Sequence, residues 1–199
     1  MKSVPLFGVI GLSTLLTSPA FAQPFYDRGE VSVALERVFG VHYEHEEHDN
    51  PPPFPDFDTD STVFGLGWYG ALTPLMWARG AVDVFVIDQL SVGGSLAFFG
   101  TAGDDEDSGV LFAPRVGYAI PLSKAFTFWP RGGVTFYQIE DRSLFGISAE
   151  AMFVASPQPS WGILFGPTID LGFVGDDEDD EDFSEFVLGI PTVGLMGTF

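Results

Sequence analysis

Three histidines fall within seven residues, His42, His45 and His48, interleaved with Glu44, Glu46 and Glu47. Imidazole beside carboxylate is a donor set for zinc, nickel or copper. The window is therefore the first candidate metal site. It lies where an apolar alternation runs into an acidic stretch, so nothing fixes the ligand geometry, and a solvated polar loop is the competing reading. Asp56, Asp58 and Asp60 form Asp-x-Asp-x-Asp. An EF-hand loop needs Gly at its sixth position and Glu at its twelfth; here those positions hold Ser61 and Gly67. The acidic runs at 104–107 and 176–182 could hold calcium loosely, since dense carboxylates attract hard cations, and no other cofactor is expected. A hydrolase at a membrane rim would need a Ser and a His with a group to orient the His. No His-x-Ser occurs and nothing marks a constellation around His48, so no catalytic residue is assigned and an enzyme is not expected. The chain has no cysteine, which excludes thiol, zinc–thiolate and iron–sulfur chemistry. No phosphate-binding Gly-rich loop, dinucleotide fingerprint or haem motif is present.

The formal charge is −20, yet 46% of the residues are hydrophobic. So acidic a chain does not bind nucleic acid electrostatically. A sequence both this acidic and this apolar must segregate the two characters. Residues 1–22 read as a cleaved secretory signal peptide: Lys2, then an apolar core from Val4 to Leu16, then Ala20-Phe21-Ala22 at a cleavage site. Its apolar run is shorter than a spanning helix needs. The folded domain is then 23–199.

Within that domain no apolar stretch approaches the length of a membrane helix. Eight segments instead alternate with period two, as strands do. They are Val31 to Tyr43, Trp77 to Ile87, Ser91 to Gly100, Val110 to Leu122, Phe126 to Ile139, Phe145 to Ala155, Trp161 to Val174 and Phe186 to Phe199. Short connections alternate with long ones. The long ones, from Glu44 to about Met76, 101–109, 140–144 and 175–185, carry 21 of the 28 acidic residues. Such asymmetry suits an antiparallel up-and-down transmembrane β-barrel of eight strands, with short inner turns and long outer loops. Ser61 to Tyr69 also reads as a strand. It is placed in the first outer loop as a hairpin arm, because a ninth spanning strand would break the even count.

The phase of the strands assigns two faces. Phe112, Pro114, Val116, Tyr118 and Ile120 alternate with Leu111, Ala113, Arg115, Gly117 and Ala119; Ile163, Phe165, Pro167, Ile169 and Leu171 alternate with Gly162, Leu164, Gly166, Thr168 and Asp170. Large apolar residues opposite small or polar ones fit lipid outside and a narrow lumen inside. The same phase puts Glu36, Arg79, Asp83, Arg115, Arg131, Glu150 and Asp170 in the lumen. Arg or Lys at the bilayer midplane costs about 2–4 kcal/mol on the lipid face. These charges should pair across the lumen and plug it, or else form a constriction for ions. Two features resist the scheme. Arg37 follows Glu36, so both face inward only with a bulge. Pro114, Pro130, Pro167 and Pro191 lie inside strands, where proline removes a ladder hydrogen bond.

The last strand alternates Val187, Gly189, Pro191, Val193, Leu195 and Gly197 and ends on Phe199. This resembles the C-terminal assembly signal of bacterial outer-membrane proteins. Ile87 to Gly94 is similar to a strand–turn–strand unit of porin-like barrels. Together with the signal peptide and the eight strands, the chain resembles the eight-stranded barrels of the OmpA transmembrane-domain and OmpX kind. The resemblance implies residence in the bacterial outer membrane, among its lipid and lipopolysaccharide, and handling by the barrel-assembly machinery. It carries no specific activity, because the fold hosts many. The readings left open are a structural or surface-interaction barrel with a plugged lumen and, as alternatives, a narrow cation-preferring channel or a rim hydrolase.

Overall fold

The computed structural model describes residues 26–49, 57–66, 74–100, 108–139, 142–175 and 182–199. The signal-peptide segment 1–22 and most of the acidic runs lie outside them. The elements are β1 (Val31–Asp49), β2 (Phe57–Leu66), a 3₁₀ turn (Pro74–Met76), β3 (Arg79–Ile87), β4 (Leu90–Gly100), β5 (Ser108–Tyr118), β6 (Ile120–Ser123), β7 (Phe126–Ile139), β8 (Arg142–Gln158), β9 (Trp161–Gly175) and β10 (Asp182–Thr198). β1, β3, β4, β5 with β6, β7, β8, β9 and β10 pair antiparallel in sequence order, and β10 returns to pair with β1. The result is a closed eight-stranded barrel. Closure leaves the wall no free edge where the circuit is complete, which is what a strand-built membrane crossing requires.

Val33, Leu35, Val82, Val84, Val92, Leu96, Phe98, Val116, Ile147 and Leu195 all point outward and are exposed. A continuous apolar exterior of this kind is a lipid-facing surface. The connections at 88–89, 124–125 and 159–160 lie at one end of the barrel. The strand ends that adjoin all four acidic segments lie at the other.

The lumen is filled in three layers. Near the short turns sits an apolar cluster of Phe85, Trp129, Met152, Val154, Leu164 and Met196, with Tyr26 packed against it. Near the long connections sits a second, of Leu75, Met76, Ala97, Leu111, Ala113 and Val187. Charged side chains occupy the height between.

Several sequence expectations need correction. The first strand does not stop at Tyr43. It continues to Asp49, paired with β10 as far as Asp182, so the histidine window is strand and not loop. Ser61 to Tyr69 is represented by β2, a hairpin arm paired with the outer half of β1; 67–69 fall outside the described residues. The fourth segment is two strands, broken at buried Ala119. The even alternation expected through the last strand fails at Ile190–Pro191. The β9–β10 register slips between Gly189 and Thr192, so Val187 and Thr192 face the lumen while Pro191 and Leu195 face out.

Registers on β1 explain how β2 fits. Phe39 to His48 pair with Leu66 to Phe57, and Val31 to Glu36 pair with Val84 to Arg79. β2 and β3 thus share one edge of β1, with only Arg37 and Val38 between them. Opposite those two residues the chain inserts 67–78, and Leu75 and Met76 of that insertion end up buried in the lumen. Arg37 itself takes φ 55° at a register shift between Leu35 and Phe39. This left-handed bulge is uncommon for a side-chain-bearing residue. It turns both Glu36 and Arg37 inward.

The inner surface of the wall is tight enough at some positions to reject side chains. At lumen-facing Gly166 a β-carbon would overlap the Ala151 carbonyl oxygen, whereas at outward-facing Gly132 the nearest atom would be Ser148 O at 3.7 Å. Gly166→Val is expected to cost about 1–3 kcal/mol through overpacking. Gly132→Val is expected to stay within about 0.5 kcal/mol. Urea unfolding of the refolded chain, followed by heat-dependent gel mobility, checks both.

Candidate functional site

Strand alternation brings lumen-facing residues of six strands into one layer. Glu36 lies on β1, Asp83 on β3, Arg115 on β5, Arg131 on β7, Glu150 on β8 and Asp170 on β9. Arg79 opens β3, and all seven residues are buried. Arg115 grips Glu36 with both terminal nitrogens, at 2.6 and 2.9 Å, and Asp83 through Nε at 3.0 Å. Arg131 reaches Glu36 at 2.5 Å and Glu150 at 2.7 Å, with its guanidinium 4.8 Å above the ring of Trp129. Two-pronged arginine–carboxylate pairing is the strong form of this interaction.

Arg37 is the member that strand phase did not assign to the network. It is bidentate to Asp170, at 2.6 and 3.2 Å, and reaches Glu150 at 3.3 Å. Ser148 also donates to Asp170 at 2.7 Å, and its hydroxyl lies 2.6 Å from that of Thr135. The signal for Arg37 was the unexplained charge inside an apolar strand. Arg79 differs from its three neighbours. Its Nη2 donates to the Leu75 carbonyl at 2.7 Å, and no carboxylate lies within ion-pair distance of it among the described residues. Arg37 donates to the same carbonyl. Two buried arginines therefore hold the inserted turn in place by one backbone oxygen.

The histidines do not converge. His42 is buried on the lumen side, its ring packed close to Gly40, Gly65 and Gly189. His45 is on the outer face, 2.9 Å from Asp60 Oδ1 on β2. His48 lies further out, opposite Phe57 and Phe183. Neighbouring positions on a strand point to opposite faces, so His42 and His45 cannot share a ligand. Among the described residues no group of three or more His, Asp or Glu side chains is placed to hold a metal ion. Phe199 closes the chain at the turn end, exchanging backbone hydrogen bonds with Val31 at 3.0 and 3.1 Å.

The apolar exterior of β1 and β2 runs out at Val41 and Phe64, and above it stands an exposed polar cluster. Tyr43 OH donates to Asp60 Oδ1 at 2.7 Å, beside His45. The Tyr43 hydrogen bond, then that of His45, holds the Asp60 carboxyl below its ordinary range, and the same bond raises the Tyr43 hydroxyl.

No protein-family model matches the chain, and no curated protein does. Solved structures do. Neisserial surface protein A superposes with a TM-score of 0.51 at 9% identity, over 86% of this chain and 100% of that one. OprG from Pseudomonas aeruginosa gives 0.49 at 8%, over 87% and 97%. The N-terminal β-barrel domain of Pseudomonas aeruginosa OprF gives 0.45 at 11%, over 86% and 98%. The first likeness is one of fold: this chain is an eight-stranded barrel of the outer-membrane type.

Two outcomes follow from these contacts. Arg115→Met leaves Glu36 and Asp83 short of their main partner, and stranding buried charge costs about 3–5 kcal/mol; equilibrium urea unfolding measures the loss. Asp60, with its pKa depressed, keeps its hydrogen bonds above the ordinary carboxylate value and loses them as pH falls through the lowered one. Tyr43→Phe should therefore move the Asp60 titration to higher pH, read from its carboxyl ¹³C shift.

Proposed function

We propose that this chain is an exported outer-membrane protein with a structural or surface-interaction role, its barrel a sealed scaffold and its acidic connections the part that meets the surroundings. The observation that carries this reading is the filling of the lumen. Phe85, Trp129, Met152 and Leu164 pack across one end, Leu75, Met76, Leu111 and Val187 across the other, and in the charged layer between every charge but Arg79 has an oppositely charged partner. A conducting pore needs continuous water, and two dry apolar layers oppose it.

Two further considerations support the same role. Every strand end that leads into an acidic segment lies at the end opposite the short turns. Lipopolysaccharide and outer-membrane lipid then surround the wall, the assembly machinery reads the strand ending at Phe199, and loosely held calcium is the one ion the acidic rim would attract. No catalytic role is assigned to any residue: the exposed His45–Asp60 pair is tied to Tyr43.

The test is single-channel conductance of the refolded chain in a planar bilayer, on material whose heat-dependent gel mobility marks a folded barrel. The expected record is silent. Discrete steps that favour cations, and that change when Arg115 or Arg131 is replaced, would overturn the sealed-scaffold reading in favour of a narrow channel.

A further inference from the structure

Beside the charged layer is a small cavity lined by Arg79, Ser95, Arg115, Arg131, Ser148 and Glu150, and bounded by the wall at Pro114 and Gly132 to Val134. Two donors of that lining have no partner: the Nε–H groups of Arg79 and Arg131, both buried. The Oε2 of Glu150, although 2.7 Å from Arg131, receives no aligned hydrogen bond. Buried polar groups of this kind are normally satisfied.

The wall is also imperfect at the same place. β5 and β7 pair from Gly109–Ile139 to Phe112–Phe136 and again from Arg115–Gly133, in one unbroken register, but the ladder lapses where Ala113 and Pro114 face Thr135 and Val134. Pro114 has no N–H to give. Its carbonyl points toward β7, where a β-carbon on Gly133 would overlap it.

We propose that this cavity is a hydration site, holding a water that accepts from Arg79 Nε and Arg131 Nε and donates toward Glu150, and that it wets the β5–β7 seam from within. The lining chooses the ligand. An anion would meet the Glu150 carboxylate, and a cation would meet three guanidiniums. A molecule that both accepts and donates satisfies the whole set, and there is room for about one water. The inference is independent of whether the barrel conducts.

The experiment uses the refolded chain in lipid nanodiscs. Water-to-protein NMR cross-peaks are expected at the Nε–H groups of Arg79 and Arg131. Amide hydrogen exchange at 133–135 is expected about tenfold or more faster than at 145–149 on the adjacent strand. Pro114→Val, which restores a ladder donor, should slow 133–135 toward its neighbours. Absence of the cross-peaks, or exchange at 133–135 as slow as at 145–149 in the unmodified chain, overturns the proposal. Retention of about one bromide per chain after refolding in bromide and exchange into bromide-free buffer also overturns it, by showing an anion there. Should Pro114→Val fail to fold, the cross-peaks and the exchange rates of the unmodified chain decide by themselves.

Discussion

Glu36 accepts from two guanidiniums at once, those of Arg115 and Arg131, and most of the interior is arranged around that contact. Both arginines come from strands that do not adjoin β1, so the pairing forms only when the sheet has curled round to bring them together. Without lipid-compatible outer faces the charges would have no reason to be inside; without the charges the middle of the lumen would be an unfilled space between two apolar plugs. Each arrangement presupposes the other. The same logic explains why the small residues sit where they do. Gly93, Gly133, Gly146 and Gly166 lie where a β-carbon would strike the backbone or a side chain of the adjacent strand, leaving the cross-section to the long arginines.

The insertion between β2 and β3 is part of this economy of space. A strand running straight from Leu66 to Arg79 would need two residues to match Arg37 and Val38. The chain supplies many more, and the far end of the excess dips into the lumen. Leu75 and Met76 provide the apolar bulk of the outer plug, and the carbonyl of Leu75 takes the donors that Arg37 and Arg79 have left over. The left-handed backbone at Arg37, of order 1–3 kcal/mol in strain, is the cost of bringing that guanidinium to the inside.

Much of this was legible from the residues alone. Period-two alternation with acidic punctuation gives the eight strands and their common end, because a membrane strand obeys a strict two-sided rule. The seven lumen charges were readable for the same reason: a charge in an otherwise apolar strand has one tolerable direction. The rule fails where the period itself is broken. Arg37 needs a bulge, Pro191 resets the phase of the last strand, and Ala119 splits the fourth segment; none of these is encoded by alternation. Leu75 and Met76 were hidden differently. They lie in a stretch assigned to an outer loop, and nothing local says that a loop will turn back into a barrel. The histidine window misled because strand length beyond the bilayer is set by pairing with β2 and β10, not by hydrophobicity.

The charged layer also has a kinetic meaning. Its pairs join residues 79, 95, 113 and 133 positions apart in the chain. Contacts so distant in sequence reward the chain only after the intervening loop entropy has been surrendered. Neighbouring strands pair some of the charge, Arg131 with Glu150 across β7 and β8, but Glu36 meets Arg115 and Arg131 only from strands three and four steps away. The interior of this barrel is accordingly complete only once the wall has come round far enough for Glu36 and Asp170 to meet their arginines.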